Sequence, residues 1–366
     1  MKILIPMVDF GRTGGFRVLS ELANSWVRSN HQVSFIAPDC SELPYFSTIA
    51  PIIFVDRKGL LVDQRSDIKS RGTIKLFSIY KALNSIADQY DIILANYSLT
   101  AFPVSFCKCS NSKKFYYIQA YEPDYFWNVG TLKSKLLGMA SKLSYYLPLK
   151  TIVNAPVYFS YKNIRADAFV PPGLDLNIFK PADTSVIDYK NKETIIIGCI
   201  GRKEPEKGIK YVLKAFEQLH NQDKRFLLRV AFDNLPNDWS HERCEVIIPK
   251  NDNELASFYK SLDILIAPGT VQHGAPHYPV LEAMACAIPV ATTGYYGADN
   301  STAWIVENKS SESIVKVVID IINNIDLTHS KSLKALQVAQ QLDWEVISTK
   351  MIDYFRSKST DANIQY

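Results

Sequence analysis

Asp263-Ile-Leu-Ile-Ala-Pro-Gly-Thr-Val-Gln-His-Gly-Ala-Pro-His-Tyr-Pro-Val-Leu-Glu-Ala-Met-Ala-Cys-Ala-Ile-Pro-Val290 is the stretch from which the fold is read. Residues 263–267 are a short apolar run of strand length, and 288–292 are another. Between them, residues 279–286 read as a helix opened by Pro279, where the missing proline N–H costs nothing. Strand, loop, helix and strand in that order form one turn of an α/β sheet.

Outward from this stretch the pattern repeats. Upstream come a strand at 194–200, a helix at 208–220, strands at 226–231 and 245–248, and a helix at 252–261. Nearer the start, residues 2–8 read as a buried strand, followed by Gly11, Gly14 and Gly15. Leu19, Leu22, Ala23 and Trp26 then fall at i, i+3, i+4 and i+7, the stripe of an amphipathic helix, and Val33–Ala37 reads as a second strand. Right-handed crossover makes those two strands parallel neighbours. Ile52–Val55, Ile92–Ala95, Phe115–Ile118 and Thr151–Asn154 are further short apolar runs.

A Pro- and Gly-rich segment, Val170-Pro-Pro-Gly-Leu-Asp-Leu-Asn-Ile-Phe-Lys-Pro181, and a polar stretch at 182–193 break the alternation. With 366 residues, two domains of ordinary size are expected. The reading is therefore α/β, two Rossmann-like doubly wound domains facing across a cleft, at 1–178 and 190–344. The last helix, within 345–366, is free to pack back on the first domain. A cleft between two such domains is a usual ligand site.

Composition narrows the function. Hydrophobic residues make up 47% and charged residues 21% of the chain, as in an ordinary globular protein. A net charge of +4 suits phosphate-bearing ligands and is too small to point to nucleic acid. No run of eighteen apolar residues and no secretory leader is seen, so a cytoplasmic place, at most at the inner face of a membrane, is expected. Six scattered cysteines without zinc-finger spacing read as reduced, mostly buried thiols.

Three clusters carry candidate chemistry. Gly14-Gly15 opens a helix behind a strand, where backbone amides can approach an anion or a sugar; a tight strand-to-helix connection is the alternative. Its spacing is not G-x-G-x-x-G and no acid ends the second strand, which counts against an NAD-dependent oxidoreductase. Gly201-Arg-Lys-Glu-Pro-Glu-Lys-Gly208 follows a strand, so Arg202 and Lys207 stand at the strand's carboxyl end, where open α/β sheets place ligands. Arg as a fork of donors and Lys as a point charge suit a diphosphate, although such a loop alone is more often a solvated charged turn.

The quoted stretch adds the third cluster: His277, Tyr278, Pro279, Val280, Leu281 and Glu282. First-turn amides and the helix dipole favour phosphate. Glu282, placed within that turn, is positioned to accept two ribose hydroxyls, or simply to complement the dipole. His273 and His277 lack metal-pair spacing and a carboxylate partner, and no Asp-x-Asp cluster suggests a metal.

With these residues in order, the chain resembles the retaining glycosyltransferases of family 4, of the GT-B fold. The stretches that carry the resemblance are Gly14–Ala23, Val170–Phe179, Gly201–Gly208, Tyr278–Val290 and Asp343-Trp-Glu. The resemblance implies that Arg202 and Lys207 bind the donor diphosphate, Glu282 the ribose, and Gly14-Gly15 the phosphate or acceptor. It also implies a nucleotide-sugar donor (UDP, GDP or dTDP), no required metal or cofactor, and a glycan or lipid-linked glycan acceptor in bacterial-type surface polysaccharide biosynthesis.

Two departures stand out. The family has an acid eight residues before its ribose-binding Glu, where this chain has Gly274, leaving His273 or His277 for the sugar. It also often has a His after an N-domain strand, where this chain offers Gln119, Tyr121 and Glu122. The His-Tyr-Pro-x-Leu-Glu and Tyr-Ile-Gln-x-Tyr-Glu-Pro segments are most similar to a subset that includes rhamnosyltransferases. Gly274 also admits a catalytically weak nucleotide-binding subunit. Residues 131–150, with lysines and no acids, fit either a helix lying on an anionic bilayer or a core-facing helix with solvated lysines.

Overall fold

A computed structural model of the chain describes residues 1–182 and 189–360. The polar stretch expected at 182–193 lies partly outside these, as do the last six residues of the expected terminal helix. The chain forms two compact units, one of residues 1–173 with 344–366 and one of residues 174–343. The first unit thus ends at Gly173, five residues short of the expected 178, and resumes at Trp344.

The first unit holds an eight-stranded sheet of β1 (Lys2–Pro6), β2 (Gln32–Pro38), β3 (Ile52–Val55), β4 (Leu61–Val62), β5 (Ile92–Ala95), β6 (Lys114–Ile118), β7 (Lys150–Val153) and β8 (Ala168–Phe169). Their order is β4-β3-β2-β1-β5-β6-β7-β8, parallel throughout except where β4 runs antiparallel to β3. Ile3, Leu4 and Ile5 are fully buried, as the central strand of a sheet covered on both faces must be. Register runs Lys2 to Gln32 on one side and Ile3 to Ile92 on the other.

The helix Gly14–Arg28 returns over this sheet, burying Val18, Leu19, Leu22, Ala23 and Trp26. The closing helix, Trp344–Thr360, docks on it. Trp26 Nε1 donates to the Ser348 carbonyl at 3.1 Å, the Ser25 and Ser348 hydroxyls meet at 2.7 Å, and Phe355 packs on Trp26 and Phe115.

The second unit holds a six-stranded, all-parallel sheet of β9 (Ile195–Ile200), β10 (Phe226–Ala231), β11 (Cys244–Ile247), β12 (Ile264–Ala267), β13 (Val290–Thr292) and β14 (Trp304–Ile305). The order is β11-β10-β9-β12-β13-β14. Its core gathers Ile197, Phe216, Leu219, Leu228, Ile266 and Val318 from strands and covering helices. Asp263, at the foot of β12, is buried and ties it to β9. Its carboxylate accepts the Ile196 amide at 2.8 Å and is paired with Lys192.

Among the described residues no helix is long and apolar enough to cross a membrane. All six cysteines are free; Cys107, Cys199 and Cys286 are buried, while Cys40, Cys109 and Cys244 are half-buried.

Candidate active site

Each sheet places its polar loops beyond the carboxyl ends of its strands. In the second unit the loops after β9, β12 and β13, three neighbours in the sheet, are knitted together. The Thr270 amide donates to the Glu206 carbonyl at 2.8 Å, joining the first two loops. The Thr293 hydroxyl donates to the Gly269 carbonyl at 2.5 Å, joining the second to the third. Gly208 takes a left-handed conformation (φ 76°), and a Cβ there would lie 2.3 Å from the Pro268 carbonyl oxygen. Only glycine meets both demands, so the Arg202–Lys207 loop is pressed onto the loop that leads to His277.

The result is a gathering of cations around one imidazole. Burial first, then the charges of Lys207 and Arg202, hold His277 well below the ordinary imidazole value, so its ring is neutral at pH 7. The ring stacks on Tyr295, centroids 4.5 Å apart and planes within 17°. Its Nδ1 is buried and has no partner among the described residues. Burial and the neighbouring Arg202 also lower the Lys207 ammonium, against the pull of Glu204 and Glu206. Arg202 is exposed, 3.7 Å from Glu204, a surface pairing of little energy. Two cations are thus held close enough to repel each other.

The helix beyond differs from the expectation in two ways. It runs Tyr278–Ala285 with His277 as its N-cap, so Pro279 is its second residue, and Glu282 falls in the second turn rather than the first. Glu282 is 2% exposed and accepts the Tyr259 hydroxyl at 2.8 Å; it is not a solvated dipole partner. The amides of Val280 and Leu281 both donate to the His277 carbonyl, at 2.9 and 3.1 Å, and Pro279 has none to give. The first-turn amides are thus largely satisfied within the helix, whose dipole still gives this end a partial positive charge. His273 is also engaged, its Nε2 donating to the Gly269 carbonyl at 3.1 Å. Gly274 lies at φ 82°, a conformation a side chain with a Cβ adopts only at a cost.

Beside this cluster, Phe232, Asp233 and Asn234 follow β10 with φ of 67°, 51° and 62°. Three successive left-handed non-glycine residues are stored strain of the kind that collects at functional sites. Asn234 Nδ2 donates to the Gly201 carbonyl at 3.3 Å. Neither this loop nor Tyr259 and Tyr295 were foreseen: an Asp-Asn pair after a strand was the available signal for the first, and nothing local marks the tyrosines.

The first unit has its own polar cluster. Gly14 and Gly15 open their helix behind Thr13, whose side chain makes no capping bond, so nothing in the helix accepts from these first amides. Gln119, just past β6, donates from Nε2 to the Gly15 carbonyl at 3.3 Å, while its Oε1 is buried without a partner among the described residues. Asn154 Nδ2 donates to the Gln119 carbonyl at 2.8 Å. Glu122 accepts the Ser98 hydroxyl at 2.5 Å and the Ser98 amide at 3.0 Å. Burial outweighs these bonds and pushes its carboxyl up to about 7.

Comparison with known proteins follows the same lines. Residues 194–324, within the second unit, match the family model for group 1 glycosyl transferases. A D-inositol 3-phosphate glycosyltransferase of Corynebacterium glutamicum (strain R) is 19% identical over 224 residues, 53% of this chain and 52% of the relative. The chain spans about half the length of the curated relatives it matches.

Among solved structures, Anabaena Alr3699/HepE in complex with UDP superposes with a TM-score of 0.73 at 16% identity, covering 98% of this chain and all of that one. WaaG, a glycosyltransferase involved in lipopolysaccharide biosynthesis, superposes at 0.67 and 15% identity, covering 96% and 99%. At these identities the likeness is one of fold, the GT-B pair of Rossmann-like α/β domains with parallel sheets.

Proposed function

We propose that the chain is a retaining glycosyltransferase that moves a hexose-type sugar from a nucleotide-sugar donor to a glycan or lipid-linked glycan. The observation that carries this reading is the convergence of Arg202, Lys207 and the stacked, neutral His277 at the carboxyl ends of β9 and β12. In this reading Arg202 and Lys207 hold the donor diphosphate and stabilise the charge that grows on it as the sugar–phosphate bond breaks. His277 through Leu281 line the phosphate side of the donor. Glu282, oriented by Tyr259, takes the ribose, and Gly14-Gly15 meets the donor or acceptor in the first unit. Two cations and a helix dipole supply the positive charge, so no metal is needed.

A bacterial-type surface polysaccharide as the product is supported by the order of the motifs and by the fold shared with WaaG, which acts in lipopolysaccharide biosynthesis. The UDP held by the Anabaena neighbour makes UDP the first nucleotide to try. The resemblance of the His277–Glu282 and Tyr117–Pro123 segments to those of rhamnosyltransferases supports a rhamnosyl donor. Gly274, with the backbone of a glycine site, favours a second reading, a nucleotide-binding subunit without turnover.

The test is calorimetric titration with UDP, GDP and dTDP, followed by a donor screen read by mass spectrometry. One nucleotide should bind, and Arg202→Ala or Lys207→Ala should each weaken it by about ten- to a hundredfold, as loss of a charge-assisted bond implies. Binding of none, or binding indifferent to both substitutions, sinks the assignment; binding without turnover on any donor selects the second reading.

A further inference from the structure

The helix Leu132–Ser144 is built inside out. Its inward residues are Ser134, Gly138, Ser141 and Ser144, small or polar where a core-facing stripe would be apolar. They pack on the helix Glu122–Asn128, so closely that a Cβ on Gly138 would lie 2.4 Å from Trp127 Nε1. Of its five large apolar residues only Leu137 is half-buried on the inward side; the other four point away, Leu132 76% exposed, Leu136 55%, Met139 52% and Leu143 60%. At 100° per residue these four fall within a sector of about 60°. Val129 and Tyr146, also exposed, extend the strip at its two ends.

Charge frames the strip. Lys133 lies on one flank, and Lys135 and Lys142 on the other, all exposed. From Tyr125 to Ala166 the chain carries Lys133, Lys135, Lys142, Lys150, Lys162 and Arg165 and not one Asp or Glu. Of the two expectations for residues 131–150, a core-facing helix with solvated lysines describes the small-residue face and leaves the apolar strip unaccounted for.

We propose that this face lies on an anionic lipid bilayer, Leu132, Leu136, Met139 and Leu143 entering the acyl boundary while the flanking lysines reach the phosphates. An apolar strip edged on both sides by cations is what an interfacial helix presents. The same charges decide against a second copy of the chain, because a two-fold contact on this face would set its lysines against each other. The proposal needs no sugar transfer and stands apart from the catalytic reading.

Flotation of the whole chain tests it, with vesicles of phosphatidylcholine alone and of phosphatidylcholine with one-third phosphatidylglycerol. The chain should float with the second and not the first, and should detach in high salt. Leu136→Glu with Met139→Glu should lower partitioning at least tenfold, and serine at Lys133, Lys135 and Lys142 should lower it about fivefold per lysine. Both variants alter exposed positions, so unchanged thermal melting certifies the fold. Absence of flotation, or flotation that both variants leave intact, overturns the proposal. So does a dimer in sedimentation that Leu136→Glu dissolves while no lipid is bound; the face then belongs to a second copy.

Discussion

At the scale of single residues, Glu122 shows how burial and hydrogen bonding compete. Removal from water raises its carboxyl to about 7 although Ser98 supplies two bonds to the charged form. An acid whose folded value lies above its unfolded value of 4.5 binds its proton more tightly when folded. Its contribution is therefore complete below about 4.5 and is lost as pH climbs toward about 7. The first unit should lose stability across that window, and Glu122→Gln should flatten the loss, as urea unfolding at several pH values would reveal. A slope unchanged in the variant would mean another group titrates. His277 works in the opposite sense, since burial and two cations disfavour its charged form. Its share of stability is held above its ordinary value and falls as the solution is acidified.

Elements repeat the lesson with longer reach. Asp263 fastens the foot of β12 to β9 through the Ile196 amide and Lys192. Asp263→Asn removes the charge and should cost the second unit about 1–3 kcal/mol, the toll of a buried charged bond; chemical denaturation followed on that unit's own transition would check it. The strand runs around these residues were legible because a sheet covered on both faces demands continuous apolar stretches. Leu61–Val62, Ala168–Phe169 and Trp304–Ile305 are two residues each, too short to show any period, and could not be read. Helix starts were harder: His277 caps Tyr278–Ala285 without a side-chain bond, so no Ser, Thr or Asp marked the spot, and Glu282 was set one position too early, in the first turn instead of the second. Periodicity shows that Leu132–Ser144 has two stripes but not which of them faces inward. The pairs Tyr259–Glu282 and His277–Tyr295 join residues far apart in sequence, where pattern reading has no purchase.

For the whole molecule, the division at Gly173 and Trp344 means the second unit sits inside the first along the chain. Ending the chain at Asp343 strips the closing helix from Trp26 and Phe115. Calorimetry should then show the first unit melting lower or aggregating while the second keeps its transition; equal loss in both would contradict the two-unit division. Synthesis meets the same arrangement in time. A ribosome releases the Trp26 side of the first unit early, yet its partner Ser348 lies 323 residues after Ser25. The second unit is therefore complete before the first can close, and that apolar face lacks its partner while the intervening residues are made. Such a wait exposes apolar surface of the kind chaperones cover, and of the two units it makes the one begun first the one finished last.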